Sequence, residues 1–284
     1  MRKLSNNFLK CLKTGFLSPI TKSVIDDPDL VLDIRDGYIN IYFKGNSLLK
    51  LTETSTSRYK VEIHEKFLVG VNLNIFLTEE NVDEFVKALP QIKQNIANHG
   101  RRSIEIEYEQ LIVRANNDEQ RNNSEYFIVD RQYSVREGRF DLTGIFWDRR
   151  HRMKGQEVPV CLVENKFALN TDIKDVHKQL ERYYDAVKPN ASSIAEEMES
   201  IFRQKLELGL YKQSPDRLAA MKTLKFSREI EKFQFIVVFV DFNPNSTLLD
   251  LKKLADLPFA NQVKVFQTGF AMWKQNVRPI KESI

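Results

Sequence analysis

Apolar and polar positions along the chain repeat with two periods, and the switches between them outline an α/β protein. From about residue 29 to 68 the apolar residues alternate with polar ones at period two, which predicts a small antiparallel β-meander. Within it, Tyr38 to Leu51 carries β-forming residues on both sides of Lys44-Gly45-Asn46-Ser47, a hairpin signal, and Arg58 to His64 supplies a third strand. The period then lengthens. Val82, Phe85, Val86, Leu89, Ile92 and Ile96 recur at helical spacing, predicting a helix over 79–98 that ends at Gly100. Thr78 is its expected N-cap, and Glu79 and Glu80 place negative charge in the first turn. Pro90 lies inside the stretch and predicts a kink or a division there. A second helix is expected from Arg102 to about Ala115, with Ile104, Tyr108, Leu111 and Ile112 as its apolar stripe.

From Tyr126 the pattern returns to strands: Tyr126 to Val129, Gly138 to Trp147 and Val158 to Phe167. A helix over 173–187 follows, with Val176, Leu180, Tyr183 and Val187 as its stripe, and charged helical sequence continues over 196–210 and 215–224. Phe233 to Phe242 is nearly unbroken in apolar β-formers, the mark of a strand covered on both faces. A short helix over 248–254 and a strand over 263–266 complete the order. These elements predict a three-layer α/β/α sandwich around a mixed central sheet, preceded by the meander. The candidate boundary falls near residue 100, dividing a meander-plus-helix region (1–100) from a core (101–284).

Composition changes this picture little. The 43 basic residues nearly match the 39 acidic ones, so the net charge of +4 permits a polyanionic partner without pointing to one. Leu4, Phe8, Leu9, Leu12 and Phe16 among Lys3, Lys10 and Lys13 suit a short amphipathic helix, not the continuous apolar segment of a signal peptide. No apolar stretch has membrane-spanning length. The two cysteines, Cys11 and Cys161, offer neither a disulfide framework nor a Cys-x-x-Cys metal pattern. A soluble, cytoplasmic protein is the expectation.

The candidate chemistry lies on the second and third core strands. A hairpin centred near Arg152 and Met153 places Asp141 directly opposite Glu164, on one face, with Cβ atoms roughly 5 Å apart. Lys166, two residues beyond Glu164, shares that face. A slip of one residue would undo the arrangement. Ile145, Trp147, Val158, Val160 and Leu162 continue the face of Asp141 and Glu164, whereas Phe140, Leu142, Phe146, Cys161, Val163 and Phe167 occupy the other. Charges ending strands that are apolar on both faces need partners, and hard oxygen ligands of this kind suit Mg²⁺ or Mn²⁺. Arg139 shares the face of Asp141 and is placed to contact a substrate phosphate. The basic run Arg149-Arg150-His151-Arg152-Met153-Lys154 falls at the far hairpin tip, where a solvated turn is expected. His64-Glu65 lacks the second histidine of a zinc helix.

Asp141 followed by Glu164-Asn165-Lys166 at the end of an apolar strand resembles the D…(D/E)-x-K signature of the PD-(D/E)XK nuclease superfamily. The resemblance spans roughly residues 102 to 267, and Phe140 stands where the superfamily name has Pro. It implies a restriction-endonuclease-like fold in which Asp141 and Glu164 bind the metal and Lys166 is catalytic. It implies as well an acidic ligand from the preceding helix, Glu109 first and Glu105 second. Gln179 and Tyr183, four apart on the following helix, resemble the Gln/Tyr pair of the RecB-like subgroup, with Gln179 supporting the site and Tyr183 near nucleic acid. The expected activity is Mg²⁺- or Mn²⁺-dependent hydrolysis of nucleic-acid phosphodiesters, DNA first. The alternative is a catalytically silent nucleic-acid- or protein-binding module on the same fold. A homo-oligomer, or a regulatory protein docking on residues 1–100, is the further partner considered. Against each functional reading stands a plain one: a salt-bridged, exposed strand end for Glu164 and Lys166, and a solvated helix face for Glu105, Glu107 and Glu109.

Overall fold

The computed structural model describes residues 2–118, 123–167, 171–273 and 275, except 102, 137 and 151. Arg102 and His151, expected at a helix start and in the hairpin tip, lie outside the described residues. The chain is mixed α/β, with one antiparallel and one mixed five-stranded sheet. No helix among the described residues is long and apolar enough to cross a membrane.

Two short helices come first, α1 (Asn6–Lys13) and α2 (Ser18–Asp26). The side chain of Ser5 caps α1 by accepting from the Phe8 amide. The antiparallel sheet follows, ordered β1 (Leu30–Ile34), β2 (Tyr38–Phe43), β3 (Asn46–Ser55), β4 (Arg58–Glu62) and β5 (Phe76–Leu77). Its hairpin turns at Lys44-Gly45, both in the left-handed region, as the turn signal predicts. β1 and β5 extend the three strands expected from the sequence.

Helix α3 (Val82–His99) starts from Asn81 rather than Thr78 and runs unbroken through Pro90. The prolyl ring faces solvent, where a freed carbonyl can be hydrated, so the helix is not divided as predicted. Helix α4 (Ile104–Asn117) departs further from expectation. Ile104 and Leu111 are exposed, and the buried side chains are Glu109, Val113 and Asn117, one helical face at i, i+4 and i+8. Asn117 fixes that face by donating to the Ile128 carbonyl and accepting from the Ile128 amide, at 2.8 and 2.9 Å.

The mixed sheet has the order β12 (Val263–Thr268), β11 (Gln234–Val240), β9 (Val160–Phe167), β7 (Gly138–Phe146), β6 (Tyr126–Val135). β6, β7 and β9 pair antiparallel, and β9, β11 and β12 pair parallel. β8 (Glu157–Val158) and β10 (Lys225–Phe226) form a separate parallel pair. On one face Leu142, Cys161, Val163, Ile236 and Val238 pack with Val113 of α4. The opposite face packs against α5 (Val176–Val187) and α6 (Ala191–Glu207) through Leu162, Phe235, Leu180, Met198 and Ile201. Helices α7 (Pro215–Met221) and α8 (Leu251–Ala255) are peripheral.

Buried ion pairs join the two sheets. Asp33 of β1 meets Arg131 of β6 at 2.9 Å and Lys205 of α6 at 3.3 Å, and Arg35 pairs with Asp130. Burial pushes the Asp33 carboxyl up, but Arg131, Lys205 and Arg35 outweigh it and hold it well below the usual carboxylate range.

Candidate active site

The β7–β9 ladder has the predicted register: Leu142 pairs with Val163, Thr143 with Leu162, Gly144 with Cys161 and Ile145 with Val160. Asp141 and Glu164 are the next position along, just beyond the last paired residues, where the two strands part. Glu164 faces α5, as alternation requires. Phe140 does not follow alternation. Instead of joining Leu142 on the α4 face, it packs in the α5 core against Tyr183, ring centres 4.7 Å apart. Asp141 turns toward β9 and accepts from the Asn165 main-chain amide at 2.8 Å. The expected sharing of a face by Phe140 and Leu142 is thereby corrected: both stay paired with β6, and alternation is lost between them at Asp141, opposite Gln132, whose backbone is left-handed.

Asp141 is half-buried, and Glu109, Glu164 and Lys166 are buried. Glu109 is 2 % exposed, Glu164 4 % and Lys166 9 %, which removes the exposed-strand-end and solvated-helix readings for them. Glu105, one turn before Glu109 on α4, is exposed. Lys166 Nζ lies 3.1 Å from Glu164 Oε1, and Gln179 Nε2 donates to the same oxygen at 2.7 Å. Gln179 also donates to the Tyr183 hydroxyl at 2.8 Å, and that hydroxyl in turn donates to the Arg139 carbonyl at 3.2 Å. Gln179 and Tyr183 thus tie α5 to the start of β7. Arg139 itself projects outward, exposed, and its charge reaches both Asp141 and Glu109.

The negative charge at this point is not fully balanced. Burial, reinforced by Asp141, pushes Glu109 up to about 7, against the opposing bond from Gln132. Burial and Asp141 likewise push Glu164 up to about 7, although Lys166 and Gln179 pull the other way. Asp141 is itself raised, burial outweighing the Asn165 amide, Lys166 and Arg139. Oε2 of Glu109 and Oε2 of Glu164 are buried without a hydrogen-bond partner. Among the described residues, no three His, Cys, Asp or Glu side chains form a ready-made metal cage. The charge of Asp141 acts on both Glu164 of β9 and Glu109 of α4.

Three residues escaped the sequence reading. Gln132 of β6 donates from Nε2 to Glu109 Oε1 at 2.7 Å. Gly138 lies under Tyr183 so closely that a Cβ would stand 2.4 Å from its ring. Asn165 is 9 % exposed, and neither its Oδ1 nor its Nδ2 has a partner. For Asn165 the signal was present. β9 alternation places it with Cys161, Val163 and Phe167 on the apolar α4 face, where a carboxamide has no packing reason to be. The basic tip residues Arg149, Arg150, Arg152 and Lys154 belong to the opposite end of β7, away from this cluster.

No family model, no curated protein and no solved structure matches the chain.

Proposed function

We propose that the protein is a divalent-metal-dependent nuclease of the PD-(D/E)XK type, with a restriction-endonuclease-like core built on the mixed sheet. The observation that carries this reading is that the half-buried Asp141 acts on the buried carboxyls of Glu164 and Glu109 beside the buried Lys166, with two carboxylate oxygens left unpartnered. An unpaired buried anion costs several kcal/mol and is retained where something binds it. A hard cation fits this donor set, because Mg²⁺ uses one or two carboxylates and completes its shell with water and substrate phosphate. Asp141 and Glu164 would hold it, and Glu109 would add a ligand from the α4 side. Bound there, Mg²⁺ or Mn²⁺ supplies charge neutralisation at the phosphate and a lowered pKa for water.

The chain's own groups divide the remaining work. Lys166, held by Glu164, presents its ammonium to the attacking water and to the negative charge that builds on phosphate. The main-chain amide of Asn165 orients Asp141, and Gln179 orients Glu164, so both carboxylates are fixed before substrate arrives. Arg139 is exposed beside the cluster and is assigned to a substrate phosphate. Tyr183, expected near nucleic acid, is itself buried against Phe140 and acts by positioning the strand that bears Arg139 and Asp141.

The experiment is incubation of plasmid, single-stranded DNA and RNA with the protein in Mn²⁺, Mg²⁺ or EDTA, beside Lys166→Ala. Metal-dependent cleavage lost in the variant supports the assignment and identifies the substrate. Absence of cleavage in every combination, together with absence of cation binding, would refute it.

A further inference from the structure

Gln132 occupies an unusual place. In the β6–β7 ladder Arg131 pairs with Leu142 and Tyr133 with Phe140, so Gln132 stands at the position opposite Asp141. Its backbone is in the left-handed region, with φ +55°, which costs a residue other than Gly of order 1 kcal/mol or more. From there its side chain reaches α4 and donates to Glu109 Oε1 at 2.7 Å. The residues just before Gln132, Asp130 and Arg131, are held by residues far away in sequence. Arg35 donates to the Arg131 carbonyl at 3.0 Å and pairs with Asp130, Asp33 receives Arg131 Nε and Nη2 at 3.1 and 2.9 Å, and Arg2 pairs with Asp130. Arg131, Asp33 and Asp130 are almost completely buried, so these pairs fix the strand rather than decorate it.

We propose that Gln132 is a positioning residue: it holds Glu109 against Asp141, and the ion pairs of the amino-terminal sheet keep it in the conformation that does so. The role rests on the nuclease reading, since it acts on the ligand that α4 contributes. Glu109 lies on a helix and Asp141 on a strand, and Gln132 is the residue bonded to the first and cross-strand to the second. The Gln132 bond to Oε1 is what resists rotation of Glu109 away from Asp141. The amino-terminal sheet is therefore part of the active site's construction, although none of its residues touches a reacting atom.

The test is calorimetric titration of Mn²⁺ into wild type, Gln132→Gly, Glu109→Ala and the double variant, with thermal melts of each in EDTA. Glycine adopts the left-handed conformation freely, so Gln132→Gly is expected to melt at or above the wild-type temperature. It is expected nevertheless to bind Mn²⁺ about 10- to 100-fold more weakly, the usual effect of removing a residue that orients a ligand. In the Glu109→Ala background the same change should have no further effect on affinity, because Gln132 acts through Glu109. Gln132→Asn, which tolerates the backbone but is too short to reach, should reproduce the loss. Wild-type affinity in Gln132→Gly, or an equal loss with and without Glu109, would overturn the role. A wild type that binds no Mn²⁺ would instead overturn the cation site itself.

Discussion

Replacing Glu109 by Gln separates charge from shape at the centre of the site. The wild-type carboxylate is buried, has one unpartnered oxygen and lies near Asp141, and its pKa stands at about 7 against an ordinary 4.5. The folded state therefore binds this proton more tightly than the unfolded state. In linkage terms, stability falls as pH rises from about 4.5 to about 7 and levels off above. At roughly 1.4 kcal/mol per tenfold change in proton affinity, the full cost of the anion is about 3 kcal/mol at pH 8, and about 1 kcal/mol of it is already present at pH 5. Glutamine keeps the acceptor for Gln132 and carries no charge at either pH. Its advantage over wild type should thus grow by about 2 kcal/mol between pH 5 and pH 8, roughly 4–8 °C in melting temperature for a chain of this size. The assay is urea denaturation of both proteins in EDTA at the two pH values, followed by the same series in Mn²⁺. With Mn²⁺ the order should invert at pH 8, since the cation stabilises the carboxylate and not the amide. An advantage that does not change with pH would show that Glu109 titrates as an ordinary surface acid, and the account of the site as an uncompensated charge cluster would fail.

Four further outcomes are expected. Mn²⁺ should raise the wild-type melting temperature more at pH 8 than at pH 6, because the protons held by Glu109 and Glu164 near pH 7 must leave before the oxygens can bind, a difference visible by scanning fluorimetry. Lys166→Ala should lower cleavage by about 100-fold or more while leaving the circular dichroism spectrum unchanged, since loss of one electrostatic stabiliser costs on that order. Asp33→Asn should destabilise by about 3–5 kcal/mol at pH 7, because Arg131, Lys205 and Arg35 lose their common anion. The Asp33 pKa is depressed, so its contribution exists above the unfolded carboxylate pKa and fades as pH falls, and denaturation at pH 7 and pH 3 should bring variant and wild type closer at the lower value. Gly138→Ala should cost at least 1 kcal/mol in urea titration and reduce cleavage, since its Cβ would displace Tyr183 and with it the anchor of Arg139.

What could be read from the sequence divides along physical lines. The register that leaves Asp141 and Glu164 at the next position beyond the ladder was legible from the spacing of the two apolar runs, although the connection between them, residues 147–159, is long and contains β8. β11 was legible because a strand buried on both faces has only apolar residues to offer. The burial of Glu109 was not legible from α4 itself, whose apolar residues Ile104 and Leu111 suggested a different inward face. Asn117, bonded to both the amide and the carbonyl of Ile128, sets that rotation, and such a tertiary bond leaves no periodic trace. The pairing of Asp33 with Arg131 was not legible, because alternation cannot tell water from a second sheet. Phe140 broke alternation although it stays paired with Tyr133: the left-handed Gln132 stands opposite Asp141 where the pleat is lost, and such a backbone conformation leaves no periodic trace.

The first residues of the chain have a consequence for the order in which the protein can be made. Leu4 uses both its amide and its carbonyl on the side-chain carboxamide of Gln204, two hundred positions later, and the amide of Arg2 meets Glu197 across 195. A ribosome adding about 5–20 residues per second leaves Leu4 without that partner for roughly 10–40 s. During this interval the antiparallel sheet can form from neighbours close in sequence, but Asp33 and Arg35 await β6, and Arg2 and Leu4 await α6. Docking of the segment around Leu4 thus waits until residue 204 has been made, and a message cut before that codon would yield a polypeptide in which this segment has nowhere to dock.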